Sequence, residues 1–185
     1  FTHDLHDNFY PYTLERDGSL ESAGGFAKLY SAIEKEREID PNAILVDGGD
    51  YAMGTLFQTI FASHAPTLRL MGKMGYDATT FGNHEFDFRA EGLANHLQAA
   101  IESKEVVPDI VAANISYPKN EDGTMEPEID KLKEAMEAYG VTQYKIIERN
   151  GLKIGIFGLM GREADSMAPM SGVEFPDMIE SAQKT

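Results

Sequence analysis

The chain has 185 residues, 42% of them apolar, and its acidic residues outnumber the basic ones 31 to 16 for a formal net charge of −15. That length suits one domain with a real core rather than two, and so acidic a surface repels polyanions and disfavours nucleic acid as a partner. The absence of cysteine excludes disulfides, zinc knuckles and thiol chemistry, and no apolar run reaches the length of a membrane span.

Phe1-Thr2-His3 reads as the end of a strand whose beginning lies upstream. Asp4 and His6 are two apart, so in extended chain they point the same way, a carboxylate and an imidazole on one face. Two readings compete there: a pair of divalent-metal ligands, or an Asx-type turn beside a surface histidine. His3 points to the other face, and Asp7 and Asn8 are read as shaping the turn. Phe26, Leu29, Tyr30 and Ile33 then share one face of a predicted helix. Gly24-Gly25 before it lacks the following Gly-Lys-Ser/Thr of a phosphate loop, so close packing is its expected role.

Ala43-Ile44-Leu45-Val46 is a continuous apolar run of the kind that is buried on both faces of a parallel sheet. It ends in Asp47-Gly48-Gly49-Asp50, where glycines beside carboxylates allow a sharp turn and close approach to an ion. Asp47 is expected to cap or support, and Asp50 to be the better ligand. Gly54-Thr55 opens a helical stretch through Phe57, Ile60 and Phe61 that Pro66 breaks, with His64 at the break. A second helix carries Leu68, Met71 and Met74 on one face. Asp77 to Phe81 is a short strand ending in Gly82-Asn83-His84-Glu85-Phe86-Asp87. A third helix follows, with Phe88, Leu93, Leu97 and Ile101 as its apolar face and His96 as a structural residue.

Asp109 to Ala113 is another buried-type strand, ending at Asn114. The segment from Tyr117 to Pro127 is polar and loop-like, with a turn at Asp122-Gly123. A helix from about Glu128 to Tyr139 buries Ile129, Leu132 and Met136. Two β runs, Gln143 to Arg149 and Leu152 to Leu159, flank Asn150-Gly151, the dipeptide favoured by two-residue hairpin turns. A final helix is expected to start near Pro176.

The chemistry is carried by three strand ends: Asp-x-His, Gly-Asp and Gly-Asn-His-Glu. The β-α-β order makes these strands parallel and puts their carboxyl ends on one edge, so Asp4, His6, Asp50, Asn83 and His84 are expected to converge. Oxygen and imidazole donors without thiolate suit hard or borderline divalent metals. Two such ions bridged by one carboxylate activate water for displacement at phosphorus, and Asp50, central in order, is the natural bridge.

Asp4-x-His6, Gly49-Asp50 and Gly82-Asn83-His84-Glu85 resemble the metal signature of the calcineurin-like metallophosphoesterases. The longer forms Thr2-His3-Asp4-Leu5-His6, Asp47-Gly48-Gly49-Asp50 with Gly54-Thr55, and Gly82-Asn83-His84-Glu85-Phe86-Asp87 resemble its 5′-nucleotidase branch, over nearly the whole chain. The resemblance implies an α/β fold, part of a four-layer α/β/β/α sandwich truncated before its C-terminal half. It implies two divalent ions drawn from Mn, Zn, Fe, Mg and Ca. Asp4 and His6 would hold the first, Asp50 would bridge and Asn83 would bind the second. His84 would act on the phosphate or the leaving oxygen, with Asp87 as its partner.

The implied reaction is cleavage of nucleoside monophosphates, or related phosphoesters, to nucleoside and phosphate, in an extracellular, cell-surface or periplasmic setting. The family also places histidines downstream and, in this branch, a nucleoside-binding domain; residues 1–185 contain neither and have no histidine after His96. The chain alone is therefore expected to be a weak catalyst, and its uncovered sheet face to favour self-association. Two rival functions remain: a phosphodiesterase or nucleotide-sugar hydrolase with the same metal motifs, and a non-catalytic metal-binding module.

Overall fold

A computed structural model describes residues 1–185. The first backbone pairings build a parallel sheet from short pieces. Thr2 bridges Asp47, and Val46 bridges Ala78. Strand β3 (Ala78–Thr79) pairs in parallel with β4 (Asp109–Ile110). Val111 continues the series by bridging Thr142. The sheet thus runs in sequence order, and its ladder holds through hydrogen bonds such as Thr2 N–H to Val46 O at 3.0 Å and Val111 N–H to Thr79 O at 2.9 Å.

The helices between these pieces bury their apolar faces against one side of the sheet. Helix α1 (Phe26–Ile39) buries Phe26 and Ile33. A 3₁₀ turn (Leu56–Ile60), started by Thr55 accepting from Phe57 N–H, leads into α2 (Phe61–His64) and then α3 (Pro66–Lys73). Helix α4 (Arg89–Ser103) and α5 (Pro127–Tyr139) pack on one another. Leu68, Met71, Leu93, Leu97, Ile110 and Leu132 are fully buried between these elements, as the periodicity of α3, α4 and α5 requires. Phe88 and Ile101, expected on the buried face of α4, are exposed. Phe88 is the residue that caps α4 rather than one of its turns, and Ile101 sits at the margin of the contact.

The opposite face of the sheet is covered unevenly: at its centre the neighbours Ala78 and Thr79, and Ile110 and Val111, which point to opposite faces, are all buried. In the antiparallel hairpin β5 (Tyr144–Arg149) and β6 (Leu152–Phe157), Ile147 faces the core opposite Ile154, while Tyr144, Ile146, Leu152 and Phe157 are exposed. Its turn is the expected one, with Asn150 at φ 50° and Gly151 at φ 77°. Ala43 to Val46 are only half-buried, which corrects the expectation of burial on both faces for this run.

Three further features differ from the sequence reading. An exposed hairpin, β1 (Tyr12–Arg16) with β2 (Ser19–Ala23), precedes α1, turning at Asp17 and Gly18 with φ 52° and 76°. A short helix α6 (Ala164–Met167) interrupts the tail before α7 (Met178–Lys184), whose start is capped by Asp177 near the expected Pro176. Asp4 and His6 are not in extended chain: their φ values of 53° and 47° wind the segment into a left-handed turn, so strand alternation does not decide where they point. Gly25 has the packing role read for it, since at φ 86° a Cβ there would meet Pro11 N at 2.7 Å.

Candidate metal centre

The carboxyl edge of the sheet gathers three loops: residues 3–7, 47–53 and 82–87. The first two run side by side. Asp4 N–H donates to Gly49 O at 3.0 Å, His6 N–H to Asp50 O at 3.1 Å and Asp7 N–H to Tyr51 O at 3.1 Å. The second and third approach even more closely. At Gly49, with φ 93°, a Cβ would lie 2.6 Å from Gly82 N, and a Cβ on Gly82 would strike the Asp50 carboxylate. Glycine is therefore required at both contact points.

Each imidazole here has one nitrogen engaged. His6 Nδ1 lies 2.7 Å from Met53 O. A carbonyl only accepts, so Nδ1 carries the proton and Nε2 keeps its lone pair. His84 Nδ1 lies 2.8 Å from Asp87 Oδ2 and carries a proton there too, and the hydrogen bond to Asp87 raises the His84 pKa above its ordinary value, which favours the ring protonated on both nitrogens. The two rings meet edge to face, 5.0 Å between centroids. Asp50 Oδ1 accepts from His84 N–H at 2.9 Å. One donor atom from each of His6, Asp50 and His84 lies within 4.8 Å of the others. Imidazole and carboxylate donors of this kind fit a borderline divalent ion such as Mn²⁺, Zn²⁺ or Fe²⁺.

The remaining predicted residues fall around this trio. Asp4 lies outside it, pairing with His3 Nδ1 at 3.0 Å while both side chains remain largely exposed. Asn83 is half-buried and opens onto a cleft of about 230 Å³ between Gly48 and Gly82 on one side and Met160, Glu163 and Met167 on the other. Asp87 is exposed and touches the site through His84.

Beneath the donors lie three buried carboxylates for which the sequence reading had a lesser role or none. Asp7, read as shaping the turn, is buried and accepts from Met53 N–H at 2.9 Å and from Thr67 Oγ1. Asp47 fits its supporting role, accepting from Thr2 Oγ1 at 2.6 Å, Thr79 Oγ1 at 2.9 Å and Gly49 N–H at 3.0 Å. Glu85, quoted only as part of a motif, is fully buried and accepts three backbone N–H groups: Gly82 at 2.7 Å, Asp50 at 3.0 Å and Ala52 at 3.0 Å. Burial raises the pKa of all three. It takes Glu85 to about 8, although its N–H donors favour the anion.

Two of the remaining histidines lie away from the donors. His96 is fully buried, with Nδ1 2.9 Å from Phe61 O and Nε2 3.3 Å from Tyr51 Oη, and burial lowers its pKa to about 4. It anchors the residue after Asp50 and is structural, as read. His64 ends α2 at the surface.

No family model matches the chain. Among curated proteins, it is 31% identical to a probable 5′-nucleotidase of Treponema pallidum, over 98% of this chain and 28% of the relative. It is 33% identical to the trifunctional nucleotide phosphoesterase protein YfkN of Bacillus subtilis, over 94% of this chain and 12% of the relative. Among solved structures, the 5′-nucleotidase precursor of Thermus thermophilus superposes on 99% of the chain with a TM-score of 0.74 and 27% identity, and the match covers 32% of that structure. The chain spans under a third of the length of each of these proteins.

Proposed function

We propose, on the premise that the chain belongs to the 5′-nucleotidase branch of the calcineurin-like metallophosphoesterases, that it forms the metal-binding front of a hydrolase of nucleotide phosphoesters, with nucleoside monophosphates as substrates. The observation that carries this reading is the convergence of His6, Asp50 and His84 at the carboxyl edge of the sheet. Open α/β sheets bind their ligands along that edge.

In this proposal Asp4 and His6 would hold one ion, Asn83 would hold a second, and Asp50 would serve both. Two bound divalent ions would supply an activated water and neutralise charge on the phosphoryl group. The chain's own residues do the rest. Met53 O fixes the His6 ring so that Nε2 faces the site, and His84 N–H fixes the Asp50 carboxylate. Asp87 holds the Nδ1 proton of His84 and supports its charged form. That leaves Nε2–H to donate to a phosphoryl oxygen or to pass its proton to the leaving oxygen.

Residues 1–185 are taken as an N-terminal portion of the catalytic domain, with further ligands and the nucleoside-recognising part supplied from beyond them. The chain alone is then a weak catalyst, and the exposed Tyr144, Ile146, Leu152 and Phe157 of the β5–β6 hairpin favour self-association. A location outside the cytoplasm belongs to the same proposal.

The test is product analysis on the intact protein with Mn²⁺. AMP or UMP should yield nucleoside and inorganic phosphate. Cleavage of p-nitrophenyl phosphate without any nucleotide would move the protein to another branch, and bound metal without turnover of either would make it a binding module.

A further inference from the structure

We propose that Glu85 is a positioning residue for metal binding: without touching an ion, its carboxylate sets the spacing between the loop that carries Asp50 and the loop that carries Asn83 and His84. The inference rests on the reading of this edge as a metal centre.

The argument starts from the backbone. Asp50 has φ 52°, a left-handed conformation that a non-glycine residue adopts only where its surroundings hold it. Its amide donates to Glu85 Oε2, and the same oxygen accepts from Gly82 N–H. One atom therefore joins the two ligand-bearing loops at the point where Gly49 and Gly82 come together. The other oxygen takes Ala52 N–H, which fixes the chain just beyond Asp50. The return contact is His84 N–H to Asp50 Oδ1 at 2.9 Å.

These bonds close a double latch. Glu85 holds the Asp50 backbone, and the Asp50 side chain holds the residue before Glu85. If the latch opens, Asp50 can relax out of its left-handed conformation, and the separation of its carboxylate from the His84 ring is no longer set.

Glutamate suits this task better than its neighbours in size. Glutamine would turn an N–H₂ towards one of the backbone donors, since the site offers no acceptor on either side. Aspartate is one methylene short of spanning both loops. The carboxylate is also out of reach as a ligand, because both its oxygens are engaged and it is fully buried.

The experiment measures Mn²⁺ binding by calorimetry for the intact protein, for Glu85→Gln and for Leu132→Ala. Leu132 is equally buried but lies in α5, away from the three loops, so it controls for loss of stability alone. Glu85→Gln should bind Mn²⁺ about 10–100-fold more weakly, the usual effect of removing a group that orients metal ligands, while Leu132→Ala binds as the parent does. Parent-like affinity in folded Glu85→Gln overturns the inference but leaves the metal centre standing. A parent that binds no Mn²⁺ overturns both. Should Glu85→Gln fail to fold, amide exchange in the metal-free parent decides. Slow exchange at Asp50, Ala52 and Gly82 is expected, and exchange as fast as in the exposed turn at Glu121 and Asp122 overturns the latch.

Discussion

The two sides of the candidate site are built differently. On the Asp50–His84 side, each donor is held by the polypeptide: Asp50 by His84 N–H, His84 by Asp87, and the loops beneath by Glu85. On the Asp4 side, the carboxylate is exposed and its partner is His3, a neighbour in sequence. One half is held in place by contacts from other loops, and in the other the carboxylate is tied only to its sequence neighbour. The difference teaches that ligand geometry here comes from contacts between loops, and that a matching sequence motif alone does not set it.

The comparison can be broken most severely at its centre. Asp50→Ala removes the carboxylate that both loops share, and metal analysis of the purified intact protein should show bound Mn²⁺ lost together with turnover. Retained metal would mean that Asp50 is not the bridge.

His84→Ala comes next. It should lower kcat by about 10²–10⁴-fold, the span of acid–base catalysis, while metal content changes little. Metal lost on that substitution would make His84 a ligand, the role its place in the donor trio also allows. Asp87→Asn should have a smaller effect of the same kind.

A third prediction tests the packing under the Asp50–His84 side through its pH dependence. His96 is buried neutral, its pKa lowered from 6.5 to about 4. Above pH 6.5 neither folded nor unfolded chain binds this proton. As the pH falls from there towards 4, the unfolded chain takes the proton first and stability is lost, by up to about 3 kcal/mol. His96→Gln keeps a donor for Phe61 O and an acceptor for Tyr51 but does not titrate. Urea unfolding at pH 7 and pH 4.5 should show parent and variant diverging as the solution is acidified, and parallel losses would contradict the assignment.

The smallest effect is expected on the loose side. His3→Ala frees Asp4 from its only side-chain partner, so Mn²⁺ affinity should stay level or rise by less than about tenfold, the Coulombic value of an exposed pair being no more than about 1 kcal/mol. A clear fall in affinity on calorimetry would make His3 a ligand.

Sequence legibility follows the same division. Periodicity located α3, α4 and α5 because their buried residues recur within each helix, and Asn150-Gly151 located β5–β6 because both turn residues need positive φ. Asp17-Gly18 carries a related signal but lies between strands that are exposed almost throughout, so no alternation of apolar residues drew attention to it. The run Ala43 to Val46 looks fully buried in sequence, yet burial depends on what covers the sheet, and that is no property of the strand itself. The convergence of the three strand ends was legible from β-α-β order. The bonds of Glu85 to Asp50 and Ala52 were not, since they join residues 35 and 33 positions away, and no spacing rule reaches so far.

The central claim is that this edge binds two divalent ions through Asp4, His6, Asp50 and Asn83, leaving His84 for the phosphate. Anomalous diffraction from Mn²⁺-loaded crystals of the intact protein tests it most directly. Two peaks about 3.5–4 Å apart, one against Asp4, His6 and Asp50 and the other against Asp50 and Asn83, with His84 Nε2 unligated, are the predicted result. A single peak held by His6, Asp50 and His84, or none at this edge, would contradict it.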